Sequence, residues 1–316
     1  MRRETTVEGR VTMSLLNWTL ILLLILLNQG CFSPTEKSES NGDKKKMTSA
    51  DLKTQNCPYG YIPVPGNSDL GTNSFCVMKY EARNISGVPT SQPQGRAWAR
   101  VSAIEAKHLC KNLGPGYDLI SNPEWMTIAR DVESIGENWS GQEPGVGEIA
   151  RGWTAHSFYN DSWTNTSFAP HSKPSCLYNT GPSICGSEGE HRHRRTLFLS
   201  TGDQIWDFSG NLYHWVDWKI SDELSPAPTS CPRRWRHLSE VRCRDIDEVH
   251  DLLPGNPSYS SEQGLGQFFG GNGGAALRGG SWRSCSVGGI YTMFLNFSPS
   301  TALGTTGFRC VWREVY

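Results

Sequence analysis

The sequence predicts a loop-rich α+β fold. Its 316 residues include 33 Gly and 18 Pro, which punctuate the chain into short elements, and 12 Trp, which supply large apolar anchors. Only two segments carry a clear helical period, and the remaining ordered stretches read as short strands divided by Gly, Pro, Ser and Asn. At 37% hydrophobic and 19% charged residues the chain is too apolar for a disordered protein and too mixed for a bundle of membrane helices. A net charge of -1 provides no global basic field, so no nucleic-acid partner is expected.

The first residues stand apart from this domain. Arg2, Arg3 and Arg10 precede an apolar run from Leu15 to Leu27, interrupted only by Asn17, Trp18 and Thr19. The run is short of the ~20 residues a spanning helix needs and fits the apolar region of a signal peptide. Leu27-Asn28-Gln29-Gly30-Cys31 resembles a bacterial lipoprotein cleavage box, with Asn28 where an aliphatic residue is usual. An ordinary cleaved signal and an uncleaved anchor are the competing readings. The expected organisation is a lipoprotein-type signal peptide over 1–30, an acylated Cys31 opening a polar tether over 31–56, and a folded domain over 57–316. The expected location is the cell envelope, lipid-anchored and either periplasmic or at the cell surface.

Nine cysteines follow Cys31, and none of their spacings is CxxC, which disfavours a zinc ribbon or a thioredoxin-like motif. Disulfides are expected, and the odd number leaves one thiol over.

Each helix has its own start signal. Ser102 and Glu105 form a capping-box pattern, Ala106, Leu109, Cys110 and Leu113 follow on one face, and Gly114 stops the helix. Ser121-Asn122-Pro123-Glu124 repeats the pattern, followed by Trp125, Ile128, Ala129 and Val132. Strands are expected at Thr196–Leu199, Asn211–Trp218 and within Ala276–Arg313.

Several motifs, taken in order, resemble the formylglycine-generating enzyme (sulfatase-modifying factor) family. Tyr61 to Gly66 leading to Phe75-Cys76-Val77-Met78-Lys79-Tyr80-Glu81 is similar to its opening hairpin, and Leu119 to Arg130 to its second helix. Gly210 to Asp217 resembles its GN.WEW signature, and Leu277 to Trp282 with Gly307-Phe308-Arg309-Cys310 its closing motifs. The resemblance implies a C-type-lectin-like fold: a small twisted antiparallel sheet, two helices and long ordered loops. It also implies a bridge from the first helix to the last strand, Cys110 to Cys310, and alternation in Phe308-Arg309-Cys310-Val311-Trp312 agrees by turning Cys310 inward with Phe308 and Trp312. Such a bridge is worth roughly 5 kcal/mol in the chain-entropy model. Proximity then suggests Cys57 with Cys76, Cys176 with Cys185 and Cys231 with Cys243, leaving Cys285 free.

The fold does not settle the function. The family's enzymes bind copper through two cysteines after the GGSW-like turn, and a soft thiolate pair is the minimum for Cu(I). Here Ser284 and Gly289 occupy those positions, and Cys285 is one residue out of register, which on a strand turns its side chain to the other face. The family also wraps a calcium ion at the GN.WEW loop. Asp207, Gly210 and Leu212 stand at three of the ligand positions, but His214 replaces the carboxylate, which weakens an oxygen-rich site. Structural calcium is the one cofactor these residues admit. The alternative to it is a loop held by Asp207 bonding to backbone amides. His191-Arg192-His193-Arg194-Arg195 reads as a solvated charged loop.

A binding face is the remaining feature. Alternation places Tyr291, Met293 and Leu295 in the core and Thr292, Phe294 and Asn296 on the outer face, with Phe294 exposed. Trp282, Arg283, Ser284, Ser286, Phe297, Thr301 and Leu303 lie around them in sequence, and rings and Arg among small polar residues are what rigid binding surfaces use. The segment between RGGSW and GFRC is also similar to the variable region of diversity-generating retroelement proteins. The expected function is a catalytically inactive lipoprotein that binds a protein or glycan ligand and joins the membrane through its N-terminal lipid. The alternative is a formylglycine-generating oxidase or related metal enzyme using Cys285. If Cys31 is acylated, the wild-type protein should partition with membranes on fractionation and Cys31→Ser should be released or accumulate as precursor; a soluble wild-type protein processed elsewhere would overturn this.

Overall fold

The computed structural model describes residues 56–154, 191–218, 231–242, 247–271 and 274–315. All of them fall in one unit, Asp43–Tyr316. The architecture is mixed α+β with few helices and several small sheets. The signal peptide, Cys31, the tether, Cys176, Cys185 and Cys243 lie outside the described residues.

Both helices begin where their caps predict. In α1 (Ala103–Lys111) the Ser102 Oγ accepts the Glu105 N–H at 3.2 Å, and the Glu105 carboxylate accepts the Ser102 N–H at 2.9 Å. In α2 (Asn122–Glu133) Ser121 and Glu124 make the same reciprocal pair, with Pro123 in the first turn. α1 buries Ala103, Ala106 and Cys110, while Leu109 and Leu113 are only partly covered. α2 is buried on more than one face, because Met126, Thr127 and Glu133 are covered along with the predicted stripe.

The first hairpin pairs β1 (Tyr61–Val64) with β2 (Phe75–Met78), from Tyr61 opposite Met78 to Val64 opposite Phe75. A four-stranded sheet continues from β2 through β14 (Cys310–Trp312) to β5 (Tyr117–Leu119). A six-stranded sheet runs β13 (Thr306–Phe308), β8 (Tyr213–Val216), β11 (Ala275–Arg278), β12 (Met293–Phe297), β10 (Phe268–Phe269), β9 (Trp235–Arg236). Two short hairpins complete the set: β3 (Arg83–Ile85) with β4 (Val88–Thr90), and β6 (Thr196–Phe198) with β7 (Gln204–Trp206). The strands predicted at the C-terminus are present but shorter, and the chain changes sheets at Arg309. That switch covers Arg309 and Val311 as fully as Phe308 and Cys310, so the predicted one-sided burial is replaced by burial on both sides.

Disulfides join Cys57 to Cys76 and Cys110 to Cys310, the latter across a separation of 200 residues. Cys231 is also bonded. Cys285 is disulfide-bonded too, which corrects its assignment as the leftover thiol. The Cys57–Cys76 bridge is the one expected from nearness in sequence, and the predicted pairs Cys176–Cys185 and Cys231–Cys243 each include a cysteine outside the described residues.

In the main core α2 packs through Trp125, Ile128 and Val132 with Val216, Ala276, Tyr291, Met293 and Leu295. Within it the Tyr291 hydroxyl donates to Glu133 at 2.7 Å. Burial, only partly offset by that bond, pushes the Glu133 carboxyl up to about 7. A group raised from about 4.5 in the unfolded chain to about 7 in the fold contributes stability that is complete below pH 4.5 and lost as pH rises through 7. Glu133→Gln should therefore flatten the fall of the melting temperature between pH 4.5 and 7; an unchanged slope would show that Glu133 does not titrate there.

Candidate binding face

α1 packs on one face of the six-stranded sheet, against Tyr213, Trp215, Leu277 and Phe308, and α2 packs on the other. A nine-residue helix extends only about 14 Å, so α1 covers the β13 and β8 end, and among the described residues no α-helix covers the far strands of that face. Aromatic side chains gather on that uncovered part. The Phe294 ring lies 4.6 Å from that of Phe269 with 12° between planes, and 5.1 Å from that of Phe297. Trp235 packs against both Phe269 (5.2 Å) and Phe294 (5.6 Å), and Tyr213 closes the cluster at 5.9 Å from Phe294. Phe294, Phe269, Phe297 and Trp235 are half-buried, so Phe294, predicted as an exposed ring, is one member of a ring shelf.

The loop after β11 borders this shelf. Gly279 and Gly280 both have positive φ, 82° and 78°, and a Cβ on Gly279 would stand 2.7 Å from the Phe208 carbonyl. This tight turn folds Trp282 inward, where it stacks on Trp153 at 6.0 Å, and Trp282 N–H donates to Asn211 O. Trp282 is thus buried, not presented as a ligand anchor. Ser284 is also buried: its Oγ accepts the Ser281 N–H at 2.8 Å and donates to the Tyr213 hydroxyl at 3.0 Å. Thr292, predicted on the outer face, is fully buried because it precedes the strand and its Oγ1 donates to Val287 O at 2.7 Å. Arg283 and Ser286 remain half-buried, and the Arg283 guanidinium sits 5.6 Å over the Trp282 ring. Asn296 is half-buried on β12, and Thr301 and Leu303 are half-buried in the following loop. Leu303 is fixed there by its carbonyl, which accepts the Arg100 N–H at 3.0 Å.

Cys285 opens a short 3-10 turn with φ 47°, and its N–H donates to Thr154 O at 2.7 Å. Held in a disulfide, its sulfur is no thiolate in this state.

The GN loop is built around ions of its own. Both oxygens of the buried Asp207 carboxylate accept from Arg195, at 2.6 and 2.7 Å. The Leu212 N–H donates to Glu81 Oε1, and Asn211 Nδ2 donates to Glu81 Oε2 at 2.5 Å. Gly210, with φ 78°, donates to Gly279 O. His214 lies 3.5 Å from Glu81, and neither ring nitrogen has a hydrogen-bond partner among the described residues. Burial, reinforced by Arg309, lowers its pKa well below the ordinary histidine value, so it is neutral. A calcium ion does not fit this arrangement, since a guanidinium already occupies the carboxylate meant for it and a neutral imidazole stands at the fourth position. The alternative, with Asp207 bonding to backbone amides, is replaced by the Arg195 pair. Arg194 and Arg195 are likewise corrected from solvated to buried; Arg194 donates to Glu137 O and Thr196 O.

Sequence reasoning missed Trp235 and Phe269. Their only local signals are Arg-Arg-Trp-Arg at 233–236 and the Phe268-Phe269 pair before two glycines. What makes them site residues is the register that sets Phe269 beside both Trp235 and Phe294.

No family model and no curated protein matches the sequence. Among solved structures the chain is similar to Treponema denticola variable protein 1, at 13% identity over 77% of this chain and 85% of that one, with a TM-score of 0.32. It is similar to the Major Tropism Determinant P3c variant at 13% identity, over 81% of this chain and 53% of that one, with a TM-score of 0.33. It is also similar to PvdO from Pseudomonas aeruginosa at 12% identity, over 81% and 92%, with a TM-score of 0.33.

Breaking the Asp207 pair should take from the buried Arg195 the carboxylate that makes two bonds to it, a loss of about 3–5 kcal/mol. Asp207→Ala should therefore show a large fall in denaturation midpoint, and millimolar calcium should leave the wild-type melting temperature unchanged. A calcium-induced rise that Asp207→Ala abolishes would restore the metal reading.

Proposed function

We propose that this chain is an exported, lipid-anchored, non-catalytic protein whose C-type-lectin-like domain binds a protein or glycan ligand on the uncovered part of the six-stranded sheet. The observation that carries the proposal is the ring shelf of Trp235, Phe269, Phe294 and Phe297, half-exposed on a paired sheet. Rings already stacked on one another lose little rotational freedom on binding, and each offers a large apolar area to a partner. Arg283, Ser286, Asn296, Thr301 and Leu303 border it and supply adaptable polar contacts. Trp282, Ser284 and Thr292 act beneath the face, shaping the loop that carries Arg283.

The formylglycine-generating oxidase is the second reading, favoured only by the motif order and by the presence of Cys285 in the right loop. The bonded state of Cys285 and the seryl Oγ of Ser284 at the first copper position both argue against a thiolate pair there.

A screen of cell-surface proteins and glycans supplies the ligand, and Phe294→Ala and Phe269→Ala test the face. Each should raise the dissociation constant by about tenfold or more, because truncated anchors of this kind commonly cost about 2 kcal/mol. Trp312→Ala, a half-buried ring in the four-stranded sheet, is the control and should leave affinity unchanged. Unchanged affinity in both Phe variants would move the site elsewhere. Copper-dependent conversion of a cysteine peptide to an aldehyde, lost in Cys285→Ser, would establish the oxidase instead.

A further inference from the structure

The chain is nearly neutral overall, at -1, but the segments bordering the ring shelf are not. Residues 92–101 and 281–307 contain no Asp or Glu, and residues 231–242 contain Glu240 alone. These segments expose Arg96, Arg100, Arg233, Arg234 and Arg242 and half-expose Arg283. Of these segments, 231–242 and 281–307 carry shelf residues themselves, Trp235 in one and Phe294 and Phe297 in the other, and 92–101 joins the second through a backbone bond. Arg100 is bonded through its backbone to Leu303, and Arg233 and Arg234 lead directly into Trp235 on β9, the strand paired to β10. Arg283 precedes Ser284, whose hydroxyl meets Tyr213 at the edge of the Phe294 ring. Among the described residues, Arg96, Arg100, Arg233 and Arg234 form no ion pair. Among the described residues of these three segments, Glu240 is the one carboxylate beside these six arginines at the border of the apolar shelf.

Resting on the binding-face reading, we propose that the ligand is an acidic polypeptide segment. It lays an apolar or aromatic side chain across Phe269, Phe294 and Trp235 and sets its carboxylates against the surrounding guanidiniums. The chemistry of the shelf selects this class. Three of its four half-exposed rings are Phe and carry no hydrogen-bonding group, so a sugar face would lose hydration there without replacement. The rings are half-buried and packed on one another, so none protrudes to insert into a bilayer. Guanidinium forks suit carboxylates. Single exposed ion pairs contribute little, so the apolar anchor sets most of the affinity while the arginines set partner choice and association rate.

The test titrates the full chain with a fluorescent peptide in which Glu alternates with Phe, its Lys-for-Glu counterpart, a heparin oligosaccharide, and phosphatidylglycerol vesicles. The acidic peptide should bind, and weaken at least about fivefold as sodium chloride rises from 50 to 300 mM, since exposed charges are screened over that range. The Lys peptide should bind at least about tenfold more weakly, through like-charge repulsion. The double substitution Arg233→Ala and Arg234→Ala should weaken the acidic peptide by about fivefold or more with an unchanged melting temperature, because both side chains are exposed. Equal binding of the two peptides, or binding of heparin or vesicles without the acidic peptide, would overturn the proposal. For a ligand found by screening, loss in Phe294→Ala with no change in the arginine variant removes the acidic partner and keeps the face. Loss in the arginine variant with no change in Phe294→Ala and Phe269→Ala removes the face itself.

Discussion

The fold depends on a cluster of buried ions where its small sheets meet. Glu81 leaves the end of β2, Arg83 lies on β3, Arg195 and Asp207 flank the β6–β7 hairpin, and Arg309 stands between β13 and β14. Arg195 clasps Asp207 with two bonds, Glu81 receives Asn211 and Leu212 just before β8, and Arg83 lies 3.8 Å from Glu81. Arg309 donates to the carbonyls of Met78 and Trp206, joining the ends of β2 and β7. Each sheet is too small to bury a full face of its own. Side chains that reach from one sheet to the next therefore fix the junction.

Such a junction is costly, because ions taken from water must be paired closely to recover their hydration. The residue types reflect that constraint. Three guanidiniums face two carboxylates and a histidine that burial keeps neutral. Burial also pushes Glu81 up, to about 8, with Asp207 adding to the effect and Arg83, Arg309 and Arg195 opposing it. Arg309 is lowered to about 10 by burial, against the pull of Glu81 and Asp207. Removing one member leaves the others uncompensated, so the cluster behaves as a unit and its positions are poor places for ligand-driven change.

What was legible in the sequence is what local chemistry decides. Ser102 with Glu105 and Ser121 with Glu124 start helices through bonds made within three residues, and the structure contains both. The inward turn of Tyr291, Met293 and Leu295 was legible for a related reason, since the alternation of a strand is fixed by its backbone, whereas the pairing of Cys110 with Cys310 followed from the family resemblance. The losses lie where a distant segment supplies the environment. Thr292 alternates correctly but meets Val287, Trp282 meets Trp153, and Arg195 meets Asp207. Phe294 looked exposed because the strand that carries Phe269 is only two residues long and leaves almost no periodic trace.

Strand β8 explains how the junction and the ring shelf coexist. Tyr213 and Trp215 point to the side where the ring shelf and α1 lie, whereas His214 and Val216 point to the side of α2. One strand thus anchors the ionic cluster through one set of side chains and supports the shelf through the other. Period-two alternation separates the two roles by a single residue. The backbone of β8 is held by buried groups on the side away from the rings. Arg195, Asp207 and Glu81 thus hold the sheet junction from one side of β8, while Phe294 and the rings around it pack on the other.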